Sequence, residues 1–152
     1  MTKKKGQYYD MHPGLLKMGM GRTDTTEADY LTDAEKYVEA MFSGKKAALR
    51  PIYDALYDLA RSYPGAKLSP GKTIVPIYRN HVVAQIKPTT NTRIDFGFAL
   101  KDTPVSGRLI DTGGYAKKDR ITHRIEIKSV EDIDDEVRGW LRKAWEMDGS
   151  EG

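Results

Sequence analysis

The stretch HVVAQIKPTTNTRIDFGFALK, residues 81–101, decides the fold because apolar and polar side chains alternate along it in two runs. Successive side chains of a β-strand point to opposite faces of the sheet. Val82, Ala84 and Ile86 therefore share one face, and the run from Ile94 to Leu100 repeats the pattern. The stretch predicts an antiparallel hairpin with one apolar face, which belongs to the core, and one polar face.

The register of this hairpin follows from keeping its apolar residues on one face, with residues 88–92 as the turn. That register pairs Ile86 with Ile94, Ala84 with Phe96 and Val82 with Phe98. It also sets Lys87 opposite Arg93, and like charges directly opposite each other are unfavourable. A bound anion, or Asp95 reaching diagonally toward Lys87, would account for the arrangement. A solvated face whose long side chains extend into water accounts for it equally well.

Apolar residues at helical spacing predict three helices. They are a short helix from a capping box at Thr32 and Glu35 through Phe42, a longer one over 46–63 with Pro51 in its first turn, and a final one capped by Ser129 with Asp132. The final helix carries an apolar stripe that must pack on another element, because Ile133, Val137 and Leu141 recur every four residues.

Alternation predicts further strands over 72–79 and 121–128, with a short extra strand at 107–110 as an option. In the strand 121–128, Ile121, His123, Ile125 and Ile127 share the apolar face, whereas Thr122, Arg124, Glu126 and Lys128 share the polar one. The fold class is α+β: an antiparallel sheet of four or five strands, with two long helices packed on one face and the other face open, plus the short N-terminal helix.

Length and composition predict a single α+β domain over residues 31–148, preceded by an irregular or partly disordered arm over 1–30. The chain has 152 residues, a formal net charge of +3 and no cysteine, which excludes disulfides and thiolate metal sites. It has no apolar run long enough for a membrane span or a secretory signal, so we expect a cytoplasmic protein that does not interact with membranes.

The charges are unevenly distributed along the chain. Residues 72–128 hold 11 Lys and Arg against 5 Asp and Glu, whereas residues 130–152 hold 3 against 8. A positive field over the sheet would steer a phosphate or a carboxylate toward it.

Sequence motifs for metal, nucleotide or nucleophilic chemistry are missing. The three histidines, at positions 12, 81 and 123, show no metal-ligand spacing, no serine lies in a GxSxG elbow, and no glycine-rich turn has the context of a phosphate loop. We therefore expect no cofactor and no metal. His123 lies among isoleucines on the inward face, where a hydrogen-bonded core histidine is a better interpretation than a general base.

Basic and hydroxyl side chains form the candidate site, because guanidinium groups, ammonium groups and hydroxyls suit phosphate and carboxylate. The candidate anion-binding residues are Lys72, Arg79, Lys87, Thr89, Thr90, Arg93, Thr122, His123 and Arg124. Strand parity places Lys87, Arg93 and Arg124 on one face, while Lys72 and Arg79 lie at strand ends, where parity is a poor guide.

Several separated segments, in order, resemble a bacterial family known as domain of unknown function 5655, sometimes labelled a predicted transport protein. They are KKAALRPIYDAL from Lys45, KTIVPIYR from Lys72, KPTTNTRIDFGFALK from Lys87, the triplet Thr122-His123-Arg124, and EVRGWLRKAWE from Glu136. The resemblance covers about residues 45–145 and implies no established reaction. His12-Pro13-Gly14 is similar to the start of a helical domain that often precedes it in this family.

Three classes of function follow. The first is a binding module whose basic sheet face holds an anionic ligand, either a nucleic-acid backbone or a phosphorylated or carboxylated small molecule. The second is a small enzyme with Asp95, Glu126 or His123 as general base beside Arg93 or Arg124. The third is a structural or protein–protein interaction domain. The sequence does not determine the oligomeric state.

Overall fold

The computed structural model describes Tyr9 and residues 27–150, with side chains from Ala34 onward. This part of the chain folds into one six-stranded antiparallel sheet and three α-helices. The helices are α1 (Glu27–Met41), α2 (Arg50–Arg61) and α3 (Asp135–Ser150), with 3-10 turns at Gly44–Leu49 and Val130–Asp132. The strands are β1 (Lys67–Leu68), β2 (Val75–Tyr78), β3 (Val82–Thr90), β4 (Arg93–Phe98), β5 (Ile110–Asp111) and β6 (His123–Ile127).

The strand order across the sheet is β1-β2-β3-β4-β6-β5. The α+β class is confirmed, but six strands replace the four or five predicted, and three helices of 12 to 16 residues replace two long ones and a short one. β1 was not predicted because two residues are too few to show alternation. A short strand does form at the edge of the sheet, but it is β5 at Ile110–Asp111 and shares only Ile110 with the optional strand at 107–110.

The central hairpin has the predicted apolar face but a different register. Ala84 pairs with Phe98, and Ile86 with Phe96. A shift of two residues leaves Ala84, Ile86, Phe96 and Phe98 on their predicted face, so alternation alone could not distinguish the two registers. Val82 pairs with Tyr78 beside a register shift and lines the open face of the sheet, so its placement on the apolar face is wrong. β3 continues to Thr90, and the turn contains only Asn91 and Thr92. Lys87 therefore lies opposite Asp95, and the predicted pairing of Lys87 with Arg93 is wrong.

The core lies between the apolar face of the sheet and the helices. Phe96, Phe98 and Ile125 from the sheet are fully buried in one cluster with Leu56 of α2 and Leu141 of α3. Tyr9 is also buried in this cluster: its hydroxyl lies 2.9 Å from that of Tyr53, and burial raises the pKa of both phenols. Residues 27–30 of the predicted N-terminal arm belong to α1, and the other residues of the arm, 1–8 and 10–26 with His12-Pro13-Gly14, lie outside the described residues.

Two predicted helix starts are wrong, although Pro51 does lie in the first turn of α2. α1 begins at Glu27, so Thr32 is inside the helix and cannot cap it. Ser129 precedes the 3-10 turn and makes no capping hydrogen bond from its side chain. Asp134 caps α3 instead, because its Oδ1 accepts a hydrogen bond from the amide of Val137 at 3.2 Å.

The long connection from 102 to 120 is held against the start of α3. Arg108 donates from Nε to Glu136 at 2.9 Å, and the amide of Arg108 donates to the same carboxylate at 2.8 Å. Within residues 27–150, no helix combines the length and the apolar run that crossing a membrane requires.

Candidate functional site

The open face of the sheet carries a cleft of about 710 Å³ between two loops, which we call the sheet-face cleft. Its floor contains Pro76, Gln85 and Gly97 of three neighbouring strands. One wall comes from residues 69–74 and the other from residues 112–121, so the sheet face is less open than predicted. The complete lining is Ser69, Gly71, Ile74, Pro76, Tyr78, Val82, Gln85, Lys87, Asp95, Gly97, Thr112, Asp119, Arg120, Ile121 and Arg124.

Gly97 lets the second wall lie close to the sheet. A Cβ atom at this position would stand 2.8 Å from Cγ2 of Ile121, too near for the two to coexist without a shift. The placement of Ile121 on the apolar face is therefore wrong. β6 begins only at His123, so strand parity does not extend to Ile121, which lines the cleft instead.

Arg120, in the same wall, is held by the buried carboxylate of Asp148. Arg120 donates from Nε to the carbonyl oxygen of Val82 at 2.8 Å and from Nη2 to Asp148 at 3.3 Å. Asp148 is fully buried on α3 and also accepts from the amides of Asn80 and His81, at 2.7 and 2.8 Å. Burial acts to raise the pKa of Asp148, but the hydrogen bonds from His81 and the amides outweigh it and lower the pKa. The wall is thus anchored to the last helix.

Two arginines and two carboxylates form an ion-pair network at one end of the cleft. Arg93 binds Asp95 at 2.9 Å, and Nη1 of Arg124 lies 2.9 Å from both Asp95 and Glu126. Arg93 also lies 3.6 Å from Glu126, and the hydroxyl of Thr89 donates to Asp95 at 2.6 Å. Two positive charges therefore face two negative ones, and the network is neutral.

Asp95 is the centre of this network, with only 12% of its side chain exposed. Burial acts to raise its pKa, but hydrogen bonds from Thr89 and Arg93 and the charges of Arg124 and Arg93 outweigh burial and lower the pKa. A carboxylate with a lowered pKa is a weaker base. Its oxygen lone pairs are also occupied by these donors. Asp95 is therefore better suited to holding the two arginines than to accepting a proton from a substrate.

A second cavity, of about 540 Å³, lies beyond the end of the cleft, and we call it the lysine pocket. Its four basic residues are Lys45, Lys46, Lys72 and Lys87, and no carboxylate of the described residues lines it. The remaining lining is Ala40, Met41, Ser43, Thr73, Pro88, Thr89 and Asn91. Lys46 donates from Nζ to the carbonyl oxygen of Pro88 at 2.8 Å. Within the described part of the chain, none of the four ammonium groups forms an ion pair with an acidic side chain.

The lysine pocket and the ion-pair network differ in net charge. Four ammonium groups contribute four positive charges, and the C-terminal end of α1, at Ala40 and Met41, offsets only about half a charge through its helix dipole. The pocket therefore keeps an excess of more than three positive charges, whereas the network keeps none.

The structure brings together five of the nine predicted anion-binding residues and separates four. Lys72, Lys87 and Thr89 line the lysine pocket, and Arg93 and Arg124 lie in the neighbouring network. Arg79 instead reaches α3, where it donates to the carbonyl oxygen of Trp145 at 2.8 Å and lies over its ring. Thr90 closes the hairpin turn, its hydroxyl accepting from the amide of Thr92 at 3.2 Å.

The other two predicted residues are buried. Thr122 is 2% exposed, and its hydroxyl accepts from the amide of Leu100 at 3.0 Å, so its placement on the polar face is wrong. The ring of His123 lies 2.8 Å from Thr122 Oγ1 through Nδ1 and 2.8 Å from the carbonyl oxygen of Thr103 through Nε2. Both ring nitrogens have partners on the core side, as expected of a core histidine.

Sequence reasoning missed Lys45 and Lys46, which supply half of the basic groups in the lysine pocket. The signal was present, because the adjacent lysines open the segment KKAALRPIYDAL. Lys46 was assigned to the start of the helix over 46–63 and Lys45 to the residue before it, and nothing local places this pair beside the end of β3.

The fold and the two cavities define a small α+β domain with one ligand-sized hollow on the face of the sheet away from the core and another between the end of α1 and the end of β3. The family model for Domain of unknown function (DUF5655) matches residues 38–148, and the chain belongs to that family. No curated protein and no solved structure matches the chain. Among the described residues, no group of three or more metal-binding side chains is placed to hold an ion.

Proposed function

We propose that this protein is a binding module for a phosphate-bearing ligand and that the lysine pocket holds the phosphate. The observation that carries the proposal is the set of four ammonium groups without an acidic partner, from three separate segments of the chain. Gathering like charges costs free energy, and a bound anion offsets that cost. The hydroxyl of Thr73, which lines the same pocket, can donate to a phosphate oxygen.

The size and the lining of the pocket favour a small ligand over a nucleic-acid backbone. A backbone is usually recognised along an extended basic surface, with aromatic side chains for unpaired bases. Among the residues that the structure describes, no aromatic side chain lines the lysine pocket, and the volume of the pocket lies within the range of small-molecule sites, roughly 300–1,000 Å³.

The test is a calorimetric titration of the protein with inorganic pyrophosphate at constant ionic strength. We expect the double variant Lys72→Met/Lys87→Met to bind at least about tenfold more weakly, because charge-assisted contacts are worth roughly 1.5–3 kcal/mol each before screening. The matched control is Lys117→Met/Lys143→Met, which removes the same charge from two exposed positions outside the pocket. An equal loss of pyrophosphate affinity in both double variants contradicts the proposal, and so does a wild-type protein that does not bind pyrophosphate.

Oligonucleotide binding to the same proteins distinguishes a small phosphate-bearing molecule from a nucleic-acid backbone as the ligand. A single-stranded oligonucleotide that binds better than pyrophosphate, with a steep salt dependence that Arg93→Ala reduces, would identify a nucleic-acid backbone as the ligand. We expect weak oligonucleotide binding that both double variants reduce alike, as a net-charge effect would.

A further inference from the structure

The floor of the sheet-face cleft contains one amide side chain, that of Gln85, which is partly exposed. Its two cross-strand neighbours offer it no polar side chain, because they are Pro76 and Gly97. Among the described residues, no other group forms a hydrogen bond with the side chain of Gln85. The cleft therefore offers a ligand both hydrogen-bond donors and an acceptor at this point.

The wall formed by residues 112–121 adds a carboxylate, that of Asp119, which is exposed and lines the cleft. Within the part of the chain that the structure describes, this carboxylate has no ion-pair or hydrogen-bond partner. Asp95, at the end of the cleft, differs because Thr89 and two arginines already donate to it. Asp119 is therefore the carboxylate of the cleft that can accept hydrogen bonds from a ligand.

The cleft lining mixes polar and apolar side chains. The polar ones include Ser69, Gln85, Thr112 and Asp119, and the apolar ones include Pro76, Val82 and Ile121. A body with several hydroxyls suits such a lining, because each hydroxyl both donates and accepts while the C–H groups beside it pack on apolar side chains. An ammonium group would also bind Asp119, but the excess positive charge of the lysine pocket disfavours a cation.

The cleft and the lysine pocket are close enough to bind one small molecule. Lys87 lines both cavities. Gln85 and Lys87 lie two residues apart on the same face of β3, which corresponds to about 7 Å of extended strand. A phosphoester and one sugar ring can span that distance.

We propose that the cleft holds the hydroxyl-bearing body of the ligand whose phosphate lies in the lysine pocket, so that the natural ligand is a phosphorylated sugar or polyol. Gln85 and Asp119 recognise its hydroxyls. This inference rests on the proposed function, because the phosphate anchors the body. It adds the class of ligand and two residues that determine specificity.

The test compares compounds that share a phosphate group and differ in the body attached to it, by NMR titration of the labelled protein. Glucose 6-phosphate has a hydroxylated ring, cyclohexylmethyl phosphate has a six-membered ring without hydroxyls, and methyl phosphate has no ring. We expect glucose 6-phosphate to bind at least about tenfold more tightly than the other two, because it adds hydrogen bonds to an amide and a carboxylate. Sorbitol 6-phosphate, a flexible open-chain polyol, tests the same hydroxyls without the ring.

The variant Gln85→Met removes the amide and keeps an unbranched side chain of similar length. Its Cγ atom can therefore still pack on Gly97, where Gln85 Cγ lies 3.3 Å from the position of a Cβ atom. We expect the ratio of the affinities for glucose 6-phosphate and methyl phosphate to fall about fivefold. The ratio cancels any change that the variant causes in phosphate binding. In the wild type, the side-chain amide resonances of Gln85 should move further with glucose 6-phosphate than with methyl phosphate.

The variants Asp119→Asn and Asp102→Asn form a matched pair. Each removes one negative charge from an exposed loop position, but Asp119 lines the cleft whereas Asp102 lines neither the cleft nor the lysine pocket. We expect Asp119→Asn to lower the same affinity ratio at least about threefold, because a charge-assisted hydrogen bond becomes a neutral one. Asp102→Asn should keep the ratio of the wild type.

The outcomes distinguish this inference from the proposed function. If methyl phosphate binds through Lys72 and Lys87 but neither glucose 6-phosphate nor sorbitol 6-phosphate binds more tightly, the inference is overturned and the proposed function stands. The inference is also overturned if cyclohexylmethyl phosphate binds as tightly as glucose 6-phosphate, or if folded Gln85→Met and Asp119→Asn keep the affinity ratio of the wild type. If none of the compounds binds, the proposed function fails and this inference fails with it.

Discussion

Two basic clusters lie side by side on this protein and differ in what their charges face. Arg93 and Arg124 are paired with Asp95 and Glu126 at distances of 2.9 to 3.6 Å, whereas the four ammonium groups of the lysine pocket face no carboxylate from the described part of the chain. Each cluster contributes two basic residues to the segment 72–128: Arg93 and Arg124 belong to the network, and Lys72 and Lys87 belong to the pocket. Only the second has positive charge left for a ligand, so the distribution of acidic partners matters more than the count of basic residues.

The largest effect is expected from breaking the paired cluster at its centre. Asp95→Ala removes the acceptor of hydrogen bonds from Thr89, Arg93 and Arg124 and leaves two close guanidinium groups with only Glu126. We expect a loss of about 2–3 kcal/mol in the free energy of unfolding, measured by urea denaturation.

The matched control is Asp135→Ala, which removes a carboxylate paired with Arg138 at 3.1 Å in full exposure. An exposed pair contributes little, so this variant should lie within about 0.5 kcal/mol of the wild type. Equal stability of the two variants would mean that the network contributes no more than a surface ion pair.

A smaller effect on the free energy of unfolding is expected when the pH is lowered. The pKa of Asp95 is lowered in the folded protein, so the stability that it contributes is present above the ordinary carboxyl pKa, about 4, and is lost as the pH falls through the folded value. Asp95→Asn does not titrate at this position. Its free energy of unfolding should therefore fall less than that of the wild type between about pH 4.5 and 2.5.

The other carboxylates with lowered pKa, Asp134, Glu136 and Asp148, titrate in both proteins. Their contribution cancels in the difference between the two pH profiles, which isolates Asp95. Parallel profiles would show that Asp95 gains no stabilisation from its arginines.

The smallest effect on stability is expected from removing two lysines of the lysine pocket in the ligand-free protein. Lys72→Met/Lys87→Met relieves repulsion among exposed ammonium groups, so we expect stability to rise by a few tenths of a kcal/mol at low salt. The gain should disappear near 1 M salt, where the screening length is about 3 Å. A clear loss of stability in this double variant would mean that the lysines support the fold, and the contrast between the clusters would weaken.

Much of the fold was predictable because alternation and helical spacing are local signals. They placed the central hairpin, its apolar face and the class of fold correctly. They failed where the local signal is degenerate. A hairpin shifted by two residues buries the same face, and a strand of two residues such as β1 has no period to detect. The start of α3 was misplaced because Ser129 and Asp134 both look like helix caps, and only the folded backbone selects between them.

The candidate site was predictable only in part. Sequence parity correctly grouped Lys87, Arg93 and Arg124 on one face, but it could not show that Asp95 and Glu126 neutralise the two arginines. Parity also assigned Thr122 to that face. The strand β6 begins one residue later, so parity does not apply to Thr122, and its side chain is buried.

The sequence by itself determined the α+β class, the apolar side of the sheet and the positive bias of its central segment, because these depend on residue type and on periods of two or a few residues. The tertiary structure alone decided which charges remain unpaired. Lys45, Lys72 and Lys87 lie far apart along the chain, and they meet only because the end of α1, the loop after β1 and the end of β3 converge. Charge pairing depends on distances of a few ångströms between such segments, which no local pattern specifies.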